Sequence, residues 1–281
     1  PSERISPETV NGDQPEYAKT LTIQILSTNR LVTKIQDEGN RSISAISYVA
    51  EKLKDLLRKH YMNYLREVNY SNSSLFDKLL NNIEPLEKSE YQDKADILSS
   101  KLIQLNEWGL CRDKNIREYK DEYKEILTVY LSEMERNLNI YNELYAQLLL
   151  FKAMLEKKQF INKNIRFDPY KGIEVRTQNQ LIIDLNKLSS GEQHEIIMLY
   201  YAIFEVGKNS VLLIDEPENS LHVAWQNHYL EDMEHIAKVM NIQILIATHS
   251  PQIIGGRWDD CFDLYEAIEN GKFNSDSRTG E

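Results

Sequence analysis

The stretch VLLIDEPE, residues 211–218, decides the fold of this 281-residue chain. Its four leading apolar residues predict a buried strand of a parallel sheet. Asp215 and Glu216 follow directly, at the carboxyl edge of the sheet, where open α/β sheets bind ligands. One carboxylate there suits Mg²⁺, which keeps several waters, and the adjacent one could orient or deprotonate a water. Adjacent acids that end an apolar strand can also be ordinary surface residues, so both interpretations stay open.

Strands and helices alternate around this stretch. The pattern predicts a hairpin of residues 173–175 and 181–185, helices over 191–205 and 223–240, and a strand over 242–247. An earlier strand is predicted at 21–25 from alternating apolar residues. Apolar strands separated by helices favour a parallel sheet covered on both faces, which is an α/β fold.

The segment between Asn40 and Lys171 is predicted to be helical. It contains one glycine, Gly109, and only two prolines, and helices tolerate few of either. Apolar residues recur at helical spacing over 46–68 and again over 119–148. The second pattern predicts a helix over 116–160. If unbroken, the second helix would be an arm of roughly 65 Å. Its tyrosines are predicted to pack against the first helix, although a stacking platform for nucleic-acid bases is the alternative.

Two further motifs lie at the ends of predicted elements. The sequence LSSGEQ, residues 188–193, precedes a helix, and its hydroxyls and free N–H groups could bind phosphate or simply cap the helix. His249 follows the strand over 242–247 and could contact a developing phosphate charge or position a water. An ordinary surface histidine is the other interpretation.

Taken together, these motifs resemble the carboxyl-terminal lobe of ABC-type ATPases over residues of about 173–264. LSSGEQ resembles the ABC signature, LLIDEPE resembles Walker B, NSLH resembles the D-loop, and His249 resembles the switch histidine. The runs DEPENSLH and ATHSPQII are similar to those of soluble ATPases of the OLD, RecF and SMC groups. Those proteins place a helical or coiled-coil arm between two ATPase lobes. The expected fold is therefore an ABC ATPase carboxyl-terminal lobe with a long, coiled-coil-like helical insert.

The resemblance implies ATP and Mg²⁺ as cofactors and an ATP sandwich between two copies of the chain. It implies these roles: Asp215 holds Mg²⁺, Glu216 activates the attacking water, His249 senses the γ-phosphate, and Ser189, Ser190, Gly191, Glu192 and Ser220 contact the nucleotide. Ser220 and Leu221 would cross the dimer interface. The assignment predicts an enzyme, an ATPase, provided that the full-length protein supplies a Walker A loop.

The Walker A pattern G-x-x-x-x-G-K-[ST] does not occur in this sequence. We expect an amino-terminal lobe outside this chain rather than a degenerate enzyme, because Glu216 and His249 are both present. The predicted division is a remnant of that lobe over 1–40, the helical insert over 41–167, the carboxyl-terminal lobe over 168–268 and a flexible tail over 269–281.

Charge and cysteine content limit the partners and the compartment. Residues 1–167 carry 25 basic and 25 acidic side chains, whereas the remainder carries 8 and 19, so the net charge of −11 lies entirely in the second part. That part is a poor candidate for gripping a phosphate backbone. Cys111 and Cys261 form no metal or redox motif, which favours reduced thiols and a cytoplasmic location. No apolar run reaches the ~18 residues of a membrane span.

Three functions remain open at this stage. The first is an ATPase that regulates a partner effector, such as an HNH nuclease, in anti-phage defence of the Septu or retron-associated type. The second is a RecF- or SMC-like DNA repair ATPase, with nucleic acid bound through the helical arm. The third is a non-hydrolysing scaffold. Only 32 residues follow His249, too few for the TOPRIM nuclease domain of OLD proteins, so a nuclease is expected on another chain.

Overall fold

The computed structural model describes residues 3–5, 23–27, 35–36, 42–80, 84–112, 115–157, 163–221 and 223–263. The strands are β1 (Glu3–Ile5), β2 (Ile23–Ser27), β3 (Ile35–Gln36), β4 (Ser42–Ile43), β5 (Lys163–Asp168), β6 (Gly172–Thr177), β7 (Ile182–Ile183), β8 (Val211–Asp215) and β9 (Gln243–Ala247). The α-helices are α1 (Ala45–Leu80), α2 (Lys88–Glu107), α3 (Lys124–Asn139), α4 (Asn142–Lys157), α5 (Ser190–Tyr200), α6 (Val223–Gln226), α7 (Tyr229–Met240) and α8 (Pro251–Ile254).

The central sheet has the strand order β1-β2-β8-β9. β2 and β8 run parallel, β8 and β9 run parallel, and β1 is antiparallel to β2. The α/β fold, with a parallel sheet, helices and a long helical region, is confirmed. The predicted strand at 21–25 is observed as β2, and its first two residues lie outside the described residues.

The two faces of this sheet differ. Leu26, Leu212 and Ile214 point to one face and belong to the hydrophobic core. Alternate residues point to the opposite face, where Leu245 is 64% exposed. Among the described residues, Leu212 and Ile214 are buried on one face whereas Leu245 on the other is largely exposed, so the two faces are unequally covered.

A second, antiparallel sheet has the order β5-β6-β7. Its β6–β7 pair is the predicted hairpin, whereas β5 lies in the segment that was predicted to end the helical insert. At the start of β6, Gly172 has a φ of +78°, and a Cβ there would lie 2.4 Å from the carbonyl oxygen of Ala50. This glycine thus allows α1 to pack closely against β6.

The helical region departs from prediction in its second half. Within the described residues, the expected continuous helix over 116–160 is replaced by α3 and α4, with a break at Ile140 and Tyr141. α2 lies in the segment predicted to be helical, although no helix was predicted with its bounds. Tyr141 explains the break, because it is fully buried and its hydroxyl donates to the carbonyl oxygen of Leu110 at 2.7 Å. Its ring lies 5.4 Å from that of Tyr64 in α1. Packing of this tyrosine against the first helix is confirmed, whereas a single long arm is wrong.

The helical region and the parallel sheet share one hydrophobic core. α5 continues beyond Tyr200 as a π-helical turn over Tyr201–Glu205. The carbonyl oxygen of Ile203 in that turn accepts from Nε2 of Gln147 in α4, at 2.9 Å. The carbonyl oxygen of Glu205 accepts from Nε2 of Gln24 in β2, at 3.2 Å. The end of the predicted helix 191–205 therefore connects the insert to the sheet.

The predicted helix over 223–240 is observed as two helices, α6 and α7. The chain leaves the helical path at Asn227 and His228 before α7 begins. This break brings Gln226 back towards the loop that precedes α6, where its side chain donates to the carbonyl oxygen of Leu221 at 3.3 Å.

Candidate functional site

The carboxyl edge of the parallel sheet brings together the acidic pair and the histidine. Ser27, Asp215 and Ala247 are aligned as the last residues of β2, β8 and β9. Asp215 is exposed at this edge, Glu216 follows it, and His249 lies two residues beyond Ala247. Because parallel strands end at the same edge, the register alone makes these residues neighbours.

Glu216 has a backbone conformation that is unusual for a residue with a side chain. Its φ of 46° and ψ of 57° lie in the left-handed region, at a cost of about 1–3 kcal/mol. Its N–H donates to the carbonyl oxygen of Ala247 at 2.8 Å. Nδ2 of Asn219 donates to Glu216 Oε2 at 2.6 Å. The carboxylate is thus held at the sheet edge by a strained backbone and a side-chain hydrogen bond.

A turn of 3₁₀-helix, Pro217–Ser220, follows Glu216 and connects to the histidine loop. Glu218 in this turn accepts two hydrogen bonds, from the Thr248 hydroxyl and from the His249 N–H, both at 2.8 Å. The His249 ring is left at the surface, because only its backbone takes part in this contact. Glu218 belongs to the VLLIDEPE stretch, but nothing in the local sequence indicates this contact.

Gln226 extends this network from the other side. Its Oε1 accepts from the Ser250 hydroxyl at 3.1 Å, and the N–H of Ser250 donates to Oγ1 of Thr248 at 3.0 Å. Gln226 is buried, so its amide has protein partners in place of water. Its contacts depend on the turn between α6 and α7, which the local sequence does not indicate.

The D-loop residues lie beside this network. Ser220 ends the 3₁₀ turn, and Leu221 is buried in the core of its own chain. The Leu221 side chain therefore packs within its own chain. The predicted role of Ser220 in binding nucleotide stays a prediction.

The first turn of α5 carries the LSSGEQ motif. Ser189 is the N-cap: its Oγ accepts from the N–H of Glu192, while the Glu192 carboxylate accepts from the N–H of Ser189, which forms a capping box. Ser189 and Ser190 are exposed, and Gly191 is half-buried. The predicted nucleotide contacts of these residues stay predictions, but the capping role is visible.

Glu192 is buried and also pairs with Lys163 of β5, at 2.5 Å. Burial alone would raise the pKa of Glu192, but the hydrogen bonds from Lys163 and Ser189 outweigh it and lower the pKa. The carboxylate therefore remains charged and holds the amino end of α5 against β5. In this conformation Glu192 faces Ser189 and Lys163.

The interior of α5 holds a second ionisable group. His194 is 1% exposed, and burial lowers its pKa to about 4 from 6.5, so its imidazole is neutral at pH 7. α5 also packs against the 217–220 turn. The helix that begins with the LSSGEQ motif thus contacts the turn that follows Glu216 in the same chain.

Tyr229 and Asp232 begin α7 beneath the site. Burial, followed by the negative charges of Glu195, Glu218 and Asp232, raises the pKa of Tyr229. Asp232 is 1% exposed and pairs with Lys157, the last residue of α4, at 2.7 Å. The hydrogen bond to Asp232 raises the pKa of Lys157. This ion pair joins the end of the helical region to the helix that follows the site.

Asp215 offers one accessible carboxylate for a cation. Among the described residues, no three His, Cys, Asp or Glu side chains are grouped so as to hold a metal ion by themselves. The donor set fits Mg²⁺ only if water and phosphate oxygens supply the remaining ligands, which is how this ion is usually bound beside a nucleotide.

The fold and the site together define an α/β ATPase-type domain: a parallel sheet with two carboxylates and a histidine at its carboxyl edge, combined with a helical region. The sequence profile described as the AAA ATPase domain matches residues 11–254. The chain belongs to this family.

One solved structure is similar over much of the chain. It is the Smc head domain with an extended coiled coil, bound to the C-terminal domain of ScpA, from Pyrococcus furiosus. The alignment has 14% identity and a TM-score of 0.34, and it covers 82% of this chain but 56% of that one. In the described part of the chain, no helix combines the length and hydrophobicity required to cross a bilayer.

Proposed function

We propose that this chain carries the hydrolytic residues of an ATPase that closes as a dimer around ATP and regulates a separate effector protein. The observation that carries the proposal is the convergence of Asp215, Glu216 and His249 at the ends of two adjacent parallel strands. Membership of the AAA ATPase domain family supports ATP as the nucleotide. The strained backbone of Glu216 supports a functional constraint at that position.

In the proposed reaction, water attacks the γ-phosphorus of ATP, and the bond between this phosphorus and the bridging oxygen of ADP breaks. Glu216 accepts a proton from the attacking water, and the products are ADP and inorganic phosphate. His249, at the end of the neighbouring strand, contacts the γ-phosphate. Asp215 would hold Mg²⁺ through water, and the ion would supply positive charge to neutralise the phosphates.

The proposed site needs a phosphate-binding loop in addition to these residues. Among the described residues no strand pairs with the outer edge of β9, and Leu245 on that strand is largely exposed. A parallel sheet is normally covered on both faces. We propose that the phosphate-binding loop packs beside β9.

The second half of the proposed sandwich comes from another copy of the chain. Ser189 and Ser190 are exposed at the amino end of α5, where the helix dipole favours an anion. The motif residues Ser189, Ser190, Gly191 and Glu192 would together form the contact with the γ-phosphate bound by the partner copy, and Ser220 would lie at the interface. Of these, Glu192 acts through the cap that it forms with Ser189.

The effector is proposed to be a separate chain, such as an HNH nuclease in an anti-phage defence system of the Septu or retron-associated type. The proposed location is the cytoplasm. A DNA repair ATPase of the RecF or SMC type has the same chemistry, and the neighbouring genes separate the two: an adjacent gene for a small HNH protein or a reverse transcriptase favours defence. Nucleic-acid binding by the helical region would show a steep salt dependence.

The test is the Glu216→Gln variant of the complete protein, with Glu107→Gln on the exposed end of α2 as the matched control. Loss of the general base is expected to lower the rate of ATP hydrolysis by about 10²–10⁴-fold. Glu107→Gln is expected to retain the wild-type rate.

Light scattering after gel filtration measures the mass of both variants with and without Mg-ATP. We expect Mg-ATP to raise the mass of Glu216→Gln, because the unhydrolysed nucleotide keeps the sandwich closed. An unchanged hydrolysis rate in Glu216→Gln would overturn the catalytic assignment. If Mg-ATP leaves the mass of the protein unchanged and no nucleotide is bound, the non-hydrolysing scaffold is favoured.

A further inference from the structure

We infer that Glu218 is a positioning residue that sets the backbone of the 248–250 loop and thereby aims His249 at the reaction site. The inference rests on the proposed function, because it assigns the control of His249 within the same site. The resemblance to ATPases implies roles for Asp215, Glu216 and His249 of this chain but none for Glu218.

Glu218 has the geometry of a two-point clamp. Its Oε1 accepts from the N–H of His249, and its Oε2 accepts from the hydroxyl of Thr248, each at 2.8 Å. Hydrogen bonds to a carboxylate are short and roughly twice as strong as those between neutral groups. Two such bonds to adjacent residues restrict both the position and the orientation of the loop at the end of β9.

The two hydrogen bonds of Glu218 belong to a longer series of hydrogen bonds. Thr248 Oγ1 accepts from the N–H of Ser250, the Ser250 hydroxyl donates to Gln226, and Gln226 Nε2 donates to the carbonyl oxygen of Leu221. Both ends of this series, Glu218 and Leu221, lie on the segment that follows Glu216. A displacement of the 217–220 turn therefore moves the loop that carries His249.

This arrangement links the two halves of the site by side-chain hydrogen bonds in addition to sheet pairing. The Glu216 N–H to Ala247 carbonyl bond joins the two strands directly. Glu218 extends the connection two residues further along each chain segment, to the point where His249 leaves the sheet. Without Glu218, His249 would follow Ala247 on a loop that has lost its carboxylate anchor.

The first experiment measures the loop itself, in the complete protein, without nucleotide. Amide hydrogen exchange of the 248–250 segment is compared for wild type, Glu218→Ala and Glu218→Gln, with the exposed Glu231→Ala on α7 as the control. Loss of the carboxylate is expected to accelerate exchange at His249 by about tenfold or more. Glu218→Gln is expected to stay within about threefold of wild type, because Oε1 can accept from His249 while Nε2 donates to Thr248.

Thr248→Val supplies a second, gentler variant in case Glu218→Ala does not fold. It removes one of the two donors and keeps the His249 N–H bond, so its effect on exchange should be smaller than that of Glu218→Ala. Combining Glu218→Ala with Thr248→Val should add little to Glu218→Ala alone, because the two side chains act through one contact.

The second experiment measures steady-state ATP hydrolysis for the same variants. Glu218→Ala is expected to lower kcat by about tenfold or more and to leave KM within about twofold, since the loop positions a group for the reaction rather than for ground-state binding. Glu218→Gln should restore most of the kcat. If Glu218 only stabilised the fold, Glu218→Ala would lower the amount of active protein. The kcat of Glu218→Gln would then bear no relation to its exchange rate at His249.

The outcomes separate the inference from the proposed function. Unchanged exchange at His249 in Glu218→Ala would overturn the inference whatever the hydrolysis rate. Faster exchange with an unchanged kcat would also overturn it, because the loop would then be irrelevant to the reaction. If wild type and Glu231→Ala both lack ATPase activity, the proposed function fails, and the exchange rates still decide whether Glu218 anchors the loop.

Discussion

The helical region and the carboxyl edge of the parallel sheet are held in different ways. Side chains in the helical region pack into an apolar, aromatic-rich core in which Tyr141 and Phe151 are fully buried. The sheet edge depends on hydrogen bonds around Glu218, on a left-handed Glu216 and on exposed acidic groups. Apolar packing tolerates small displacements, whereas the polar edge depends on a few bonds of defined direction.

This difference indicates where stability and activity reside. Changes in the helical core should reduce the free energy of unfolding with little specific effect on chemistry in the molecules that remain folded. Changes at the edge should lower activity with little effect on the free energy of unfolding, because the edge contributes little buried area and includes a strained residue. Four predictions test this division, from the largest expected effect to the smallest.

Phe151→Ala tests the helical core. Phe151 is 0% exposed and its ring contacts Phe167 and Phe204 at centroid distances of 6.0 and 5.4 Å. We expect a loss of about 4 kcal/mol in the free energy of unfolding, from lost transfer energy and the cavity left behind. Chemical denaturation measures it.

Phe76→Ala on α1 is the matched control for that change, because Phe76 is 70% exposed. Its effect should be below about 0.5 kcal/mol. Equal effects of the two substitutions would contradict the assignment of Phe151 to the core.

His194 tests whether the interior of α5 behaves as core. Its folded pKa is lowered to about 4 by burial, against 6.5 for an ordinary histidine. As pH falls from about 6.5 towards 4, the unfolded chain binds a proton that the folded chain does not, so stability should fall by about 3 kcal/mol in all. Above pH 6.5 this group should make no pH-dependent contribution.

Denaturation curves at pH 7, 6, 5 and 4 measure this effect. His194→Gln should remove the corresponding part of the pH dependence of the unfolding free energy. His235→Gln, on the exposed side of α7, should retain this pH dependence. If the unfolding free energy of His194→Gln depends on pH as strongly as that of wild type, another group causes the loss of stability at low pH.

The Lys157–Asp232 pair tests the connection between the two regions. Lys157→Met leaves the buried Asp232 without this cation. Lys157 is 48% exposed, so solvent screening reduces the expected loss to about 1–2 kcal/mol of unfolding free energy. Thermal or chemical denaturation gives the value.

The double variant Lys157→Met/Asp232→Asn should recover most of this loss, because no buried charge remains uncompensated. A double variant that is as unstable as the sum of its single changes would mean that the pair is not coupled.

Glu216 tests the strain at the sheet edge. Gly adopts a φ of 46° without the penalty that a Cβ imposes, whereas Ala does not. Glu216→Gly should therefore be about 1 kcal/mol more stable than Glu216→Ala. Both variants lack the carboxylate and both should be inactive, so their comparison isolates the backbone from the chemistry. Equal stability of the two variants would contradict stored strain at this position.

The strands and the acidic pair could be predicted from local sequence. The apolar run before Asp215 predicted β8, and the run before His249 predicted β9, because the strands of a parallel sheet are apolar over most of their length. The helix of the LSSGEQ motif was also predicted, since Ser189 and Glu192 form a local capping box.

The break between α3 and α4 could not be predicted in the same way. Apolar spacing continued through Ile140 and Tyr141, and no glycine or proline marks an end. The helix ends there because Tyr141 reaches Leu110 and Tyr64, residues that are distant in sequence. Sequence periodicity reports which residues are apolar, but it does not report where their partners lie.

The sequence by itself therefore determined the alternation of strands and helices and the chemical groups at the sheet edge, because these depend on neighbouring residues. Only the tertiary structure decided that Glu218 clamps the loop of His249, that Lys157 pairs with Asp232, and that Glu216 is left-handed. These features arise when segments far apart in the chain are packed together, since packing alone sets which polar groups must find partners within the protein.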